Sequence, residues 1–192
     1  MIIEHDMKFG PGFPGADENL NLAIGFCMGA HHGQRRKYTG EPYYTHCLEV
    51  ARTLFRHSEP PAVVIAGLLH DVIEDTDRTY DDIQGIFGTH VADLVAEVTD
   101  VSKPEDGNRA ARKAIDREHL ATTSPEGANI KLADTISNTV SIIEYDKGFA
   151  RVYIPEKLEL LKVLQHASNK ELLALAEATV QNAVAALSSC RS

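Results

Sequence analysis

Cysteine is scarce in this chain of 192 residues: Cys27, Cys47 and Cys190 are odd in number and show no Cys-x-x-Cys spacing. That excludes a disulfide framework and leads us to expect a reducing, cytoplasmic setting. Long apolar runs are missing too. None approaches the roughly 18 residues that span a bilayer, and the opening MIIEHDMKFGPGFPG has no basic segment followed by an apolar one. Neither a membrane association nor a secretory leader is therefore expected. Positive charge is in deficit, 19 Lys and Arg against 28 Asp and Glu, for a net charge of −9. A general nucleic-acid binder would carry the opposite excess, so no nucleic-acid partner is expected. A small anionic ligand held by a local basic cluster stays open. Sustained strand alternation, internal repeats and low-complexity tracts are also absent, which leaves an all-α reading.

What is present suits one ordinary soluble domain, with 43% hydrophobic and 24% charged residues. Residues 1–16 are rich in Gly and Pro and read as an arm, with residues 17–192 as the domain. From Asp17, a plausible N-cap, Leu20, Ala23, Ile24 and Cys27 recur at helical spacing. RRKYTGEPYY is a loop, and Thr45 to Arg56 resumes as helix. Pro60-Pro61 opens a further helix. Thr79 caps the next, with Ile83, Ile86 and Phe87 on one face and Gly88 ending it. Val91, Leu94, Val95 and Val98 form another stripe. Arg109 to Ala121 reads as a charged, solvent-facing helix. Pro125 begins one carrying Ile130, Leu132, Ala133, Ile136 and Val140, and two more are expected near Glu156–His166 and Lys170–Leu187.

The sharpest segment is VVIAGLLHDVIEDT, residues 63–76. An apolar, buried turn runs straight into His70, Asp71, Glu74 and Asp75. At helical spacing, His70/Glu74 and Asp71/Asp75 are four apart and share an edge. Buried charges need compensation. A lone histidine would pass for a core-packed one, and acids at a helix end for caps. Four ionisable groups after a buried turn instead favour a divalent-metal site. One helix rarely completes such a site, and two other segments offer partners. NIKLADTISN places Asp134 after an apolar step with Asn138 four residues on, and YYTHCLEVA places His46 just inside a helix.

Together these segments resemble the HD superfamily of metal-dependent phosphohydrolases. The likeness extends to the hydrolase domain of RelA/SpoT enzymes and their stand-alone relatives, the small alarmone hydrolases of the metazoan SpoT homologue type. AHHGQRRKYTGEPYYTHCLEVA is similar to that family's first block, GLLHDVIEDTDRTYDDIQGIFGTHVADLVAEVTD to its second and NIKLADTISN to its third, over about residues 20–145. The resemblance implies a single HD-domain helical bundle with His46, His70, Asp71 and Asp134 as ligands of Mn²⁺. Ligand type alone would also admit Fe²⁺ or Zn²⁺. It implies that Glu74 and Asp75 handle the attacking water and the leaving oxygen, that Asn138 contacts substrate, and that Arg36 and Lys37 contact the nucleotide. Arg35 reads as solvated. From GFARVYIPEK, Arg151 is the foremost further phosphate contact, with Tyr153 and Lys157 behind it. Two departures stand out. Cys47 replaces the proline that usually follows the first ligand, and RKYTGEP is one residue longer than the common RKSGEP.

The activity so implied is removal of the 3′-pyrophosphate from (p)ppGpp, giving GDP or GTP and pyrophosphate, with a small-molecule nucleotide as partner. The chain ends before a synthetase domain could fit, so alarmone synthesis is not expected. Alternatives within the fold are (p)ppApp hydrolysis, removal of the 2′-phosphate of NADPH, or a broader 5′-nucleotidase. A silent nucleotide-sensing module has no need of intact Glu74-Asp75, and a purely structural bundle leaves three coincident motifs unexplained.

Overall fold

The computed structural model describes residues 18–189; the arm over residues 1–16, the N-cap at Asp17 and Cys190 lie outside them. Among the described residues the regular elements are helical, with one isolated bridge, Arg35 to Pro42, closing the loop of the first block. No helix is long and apolar enough to cross a membrane. In chain order the helices are α1 (Glu18–Ala30), α2 (Tyr44–Arg56), α3 (Pro61–Leu69), α4 (Val72–Asp75), α5 (Tyr80–Phe87), α6 (Thr89–Val98), α7 (Arg109–Leu120), α8 (Pro125–Tyr145), α9 (Lys147–Val163) and α10 (Lys170–Ser188). Single 3₁₀ turns occur at Pro104–Asp106 and Leu164–His166.

The core is organised around α3 and α8. Every residue from Val63 to Leu69 is buried, because α1, α2, α6 and α8 all pack on α3. An all-round apolar helix has nowhere else to go. Gly67 is what lets α2 approach: a Cβ there would lie 2.2 Å from Cδ1 of Leu54, itself fully buried. Gly67→Ala is therefore expected to cost about 1–3 kcal/mol by overpacking. Chemical denaturation would read it as a lower midpoint at unchanged slope.

Local chemistry sets the ends. Thr79 and Asp82 form the capping box of α5, and Gly88, at φ 87°, ends α5 and leads into α6. Ser124 Oγ accepts the Gly127 N–H to start α8, Asp146 accepts that of Phe149 for α9, and Asn169 that of Leu172 for α10.

The structure departs from the sequence reading in five places. The helix of the segment VVIAGLLHDVIEDT breaks at His70-Asp71 and resumes as α4. His70 Nδ1 bonds the Gly67 carbonyl at 2.8 Å, drawing on the oxygen that the next helical N–H would use. Torsions at both residues stay right-handed, so the four-residue spacing survives. Ile86 is exposed, because α5 packs chiefly on α6 and encloses only Ile83. Val140 is exposed as well. Helix α9 starts at Lys147, nine residues before Glu156, and carries Pro155 inside it at an exposed position. Finally, α7 is not simply solvent-facing: Asp116 and Leu120 are buried.

Candidate metal centre and the cavity beside it

His46 comes from the first turn of α2, His70 and Asp71 from the break between α3 and α4, and Asp134 from the middle of α8. Both histidines and Asp134 are buried. His46 Nε2 stands 3.3 Å from Asp134 Oδ1 and 3.7 Å from Asp71 Oδ2. His70 Nε2 stands 3.1 Å from Asp71 Oδ2 and 3.6 Å from Asp134 Oδ1. Ligand atoms each ~2.1 Å from a common centre would lie roughly 3.0–3.5 Å apart, within a few tenths of an ångström of the 3.1–3.7 Å found.

Hydrogen bonding behind the rings sets their tautomers. His70 Nδ1–H donates to the Gly67 carbonyl, which leaves Nε2 with its lone pair. That Nε2 is buried and lacks a hydrogen-bond partner, with Asp71 Oδ2 3.1 Å away. Ser137 Oγ–H donates to Glu49 Oε2 at 2.8 Å, so toward His46 Nδ1, 3.0 Å away, it can only accept. His46 Nε2 is thereby freed too. An orphaned, buried imidazole nitrogen flanked by carboxylate oxygens fits a divalent cation.

Charge in the cluster is balanced internally. Burial works against a charged His70, but Asp71 and Asp134 outweigh it and hold its pKa well above the usual value. Burial likewise opposes ionised Asp71 and Asp134. The two imidazoles, with Lys131 beside Asp134, overcome that and depress both carboxyls. Tyr43 Oη–H donates to Asp71 Oδ2 at 2.8 Å and Asn138 Nδ2 to Asp134 Oδ1 at 2.5 Å. Lys131, buried, donates to the Val98 carbonyl and lies 3.8 Å from Asp134 Oδ2.

Beside the cluster lies a cavity of about 310 Å³. Asp71, Asp134, Glu74 and Asp75 line it on one side, and Arg109, Lys113, Arg117, Lys131 and Lys157 elsewhere. Most of these cations are held by acids. Arg109 makes a fork of two 2.8 Å bonds to Glu156, and Lys113 bonds Asp100 and Asp116. Asp116 also accepts from Val101 N, Ser102 N and Ser102 Oγ, which pins the loop between α6 and α7. Lys157 lies 5.0 Å over the Tyr153 ring. Burial, aided by Lys131 and Lys113, pulls its pKa down to about 8 against the field of Asp134. Burial first, then repulsion from Asp100, pushes Glu74 up to about 7, although the residue keeps an exposed surface. Asp75 rises too, through burial and then Asp71.

Of the residues singled out from sequence, His46, His70, Asp71, Asp134, Glu74, Asp75 and Asn138 come together here. Lys37 sits at the rim, with Nζ 5.7 Å over the Phe149 ring and bonded to Asp146. Arg36 is not on the cavity wall; its Nη1 bonds Glu49 at 2.8 Å, at the far end of the His46–Ser137–Glu49 chain. Arg151 is not brought to the cavity. It borders a groove with Pro155, Val184 and Leu187, whereas Tyr153 and Lys157 line the cavity. At 100° per residue, 153 and 157 share a face of α9 that 151 cannot. The sequence reading missed Tyr43, Lys131 and the stripe Arg109, Lys113 and Arg117. The four-residue spacing of that stripe, on the same helix as buried Asp116 and Leu120, was the signal available.

A family model for the HD domain matches residues 23–145. The guanosine-3′,5′-bis(diphosphate) 3′-pyrophosphohydrolase of Aquifex aeolicus is 35% identical over 169 residues, 85% of this chain and 24% of that protein. The probable chloroplastic GTP diphosphokinase RSH3 of Arabidopsis thaliana is 37% identical over 153 residues, 77% of this chain and 21% of the other. The chain thus spans less than a quarter of these curated relatives. Among solved structures, a metazoan ortholog of SpoT that hydrolyzes ppGpp superposes with a TM-score of 0.75 at 26% identity, covering 86% of this chain and 95% of that one. The crystal structure of lmo0812 from Listeria monocytogenes gives 0.61 at 30% identity, over 76% and 99%. With the match running through all three site segments on a helical bundle, the chain belongs to the HD domain family.

Proposed function

We propose that this chain is an alarmone hydrolase that removes pyrophosphate from the 3′ position of (p)ppGpp, with Mn²⁺ held by His46, His70, Asp71 and Asp134. One observation carries the reading: two freed imidazole nitrogens and two carboxylates converge beside a cavity lined by Glu74, Asp75 and five cationic side chains. The relatives named for that reaction, and the metazoan ortholog of matching length, support the substrate. When bound, the cation supplies positive charge to the developing transition state and lowers the pKa of a water beside it.

The chain's own residues do the rest. Arg109, Lys113, Lys131 and Lys157 hold the pyrophosphate oxygens, and Asn138 and Lys37 orient the nucleotide. Glu74 takes the proton of the attacking water as its oxygen bonds to the phosphorus on the ribose 3′-oxygen. The bond from that phosphorus to the 3′-oxygen breaks. Asp75, protonated more readily than an ordinary aspartate, returns a proton to the leaving oxygen. The products are GDP or GTP and pyrophosphate.

The test is anion-exchange analysis of products after incubation with ppGpp, ppApp or NADPH, with Mn²⁺ or with EDTA. Pyrophosphate released from ppGpp only with the cation is the expected result. No turnover of ppGpp by cation-loaded protein overturns the reading, and turnover of another nucleotide alone renames the substrate. Ser137→Ala is expected to weaken Mn²⁺ binding about 10–100-fold, because His46 loses the acceptor that fixes its tautomer. Isothermal titration with Mn²⁺ reads it directly.

A further inference from the structure

A second cluster of metal-ligating side chains lies behind the first. Cys27, near the end of α1, His31, just past it, and Cys47 of α2 are all buried, at 1%, 1% and 0% exposure. Their ligand atoms lie within 4.8 Å of one another. Cys27 and His31 are one helical turn apart, and the His31 N–H still bonds the Cys27 carbonyl at 3.0 Å. Both therefore point the same way, toward the helix that carries Cys47. The imidazole is oriented as a ligand. Gln34 Nε2 donates to the Asp75 carbonyl at 2.7 Å, so its Oε1 is the atom facing His31 Nδ1, also at 2.7 Å. Nδ1 then carries the hydrogen, and the Nε2 lone pair is directed at Cys47 Sγ, 3.9 Å away.

We infer that Cys27, His31 and Cys47 form a second metal site, selective for a thiophilic cation of the zinc class. Sulfur and nitrogen bound at ~2.3 and ~2.05 Å to one ion sit roughly 3.6 Å apart, so the 3.9 Å between Cys47 and His31 closes with a shift of a few tenths of an ångström, and all three ligand atoms already lie within 4.8 Å of one another. Thiolate and imidazole ligands select zinc-like ions, whereas the carboxylate-rich centre suits manganese, so the two sites differ in preference. Binding releases both thiol protons to solvent. The ion would pin α1 to α2 behind the HD centre. Through His31 and Gln34 it would also brace the main chain at Asp75. Cys47 is the one ligand that α2 supplies, so the site depends on it.

Cys47 Sγ also lies within 4.8 Å of ligand atoms on His70 and Asp71, so the experiment must separate two origins of a sulfur–metal bond. The full chain is stripped with chelator under reductant without oxygen, then titrated with Co²⁺ and followed in the near ultraviolet. A sulfur-to-cobalt charge-transfer band is expected in the wild type. The band should persist in Asp134→Ala, which damages only the HD centre, and be lost or sharply reduced in Cys27→Ser. Addition of Zn²⁺ should bleach it. Absence of the band in wild-type protein that takes up cobalt overturns the inference, even if Cys27→Ser fails to fold. A band that survives Cys27→Ser and vanishes in Asp134→Ala overturns it too, by placing Cys47 on the HD metal. The readout does not involve alarmone turnover, so it stands or falls apart from the proposed reaction.

Discussion

Asp71→Ala is expected to lose both the bound divalent cation and alarmone hydrolysis, the rate falling by about a thousandfold or more, ~4 kcal/mol of transition-state stabilisation. Asp71 Oδ2 is the atom on which the site converges. It lies 3.1 Å from His70 Nε2 and 3.7 Å from His46 Nε2, and accepts Tyr43 Oη–H at 2.8 Å. Removing it takes away one ligand and the acceptor of Tyr43 Oη–H, and withdraws the largest influence raising the His70 pKa. The last effect has a definite sign. In the cation-free protein His70 should titrate lower in the variant than in the wild type, which NMR of the imidazole protons can follow. Metal content by mass spectrometry and steady-state rate are the primary measurements. Full metal and full rate in the variant would refute the assignment of the centre.

Glu74→Gln should separate binding from chemistry. The side chain lines the cavity but lies outside the convergent ligand cluster, so Mn²⁺ affinity is expected to hold while kcat falls about 10²–10⁴-fold. The wild-type profile carries the signature. A base must be ionised and an acid protonated, so the acid limb of the kcat profile follows the Glu74 pKa, while loss of the Asp75 proton sets the fall on the alkaline side. Burial and then Asp100 put that pKa at about 7 without a cation, and a nearby dication draws the inflection below it. Asp100→Asn removes a repelling charge and should move the limb further toward acid. Glu74→Gln should abolish the limb. An unchanged rate, or a variant that loses its metal, would assign Glu74 another role.

Residue pattern alone determined that the chain is helical, because helical periodicity is local. His46, His70, Asp71 and Asp134 as the proposed ligand set, with Glu74 and Asp75 beside them, came instead from the likeness of three short motifs to those of the HD family, each motif holding its residues close together in the chain. Tertiary structure decided everything that depends on which face of a helix meets the cavity. Arg151 was placed ahead of Lys157 as a phosphate contact, since nothing local tells the two basic residues' faces apart. Only the unbroken run of α9 through Pro155 turns 157 toward the centre and 151 away. Arg109, Lys113 and Arg117 read as a solvated stripe, and became a cavity wall because buried Asp116 ties α7 to the loop after α6. Arg36, expected at the nucleotide, is spent on Glu49, which with Ser137 orients His46. The pairing of Cys27 and His31 with Cys47 joins two helices, and no single stretch of sequence contains it. Contacts between elements distant along the chain are set by packing, and packing is the part of the free energy that no local pattern encodes.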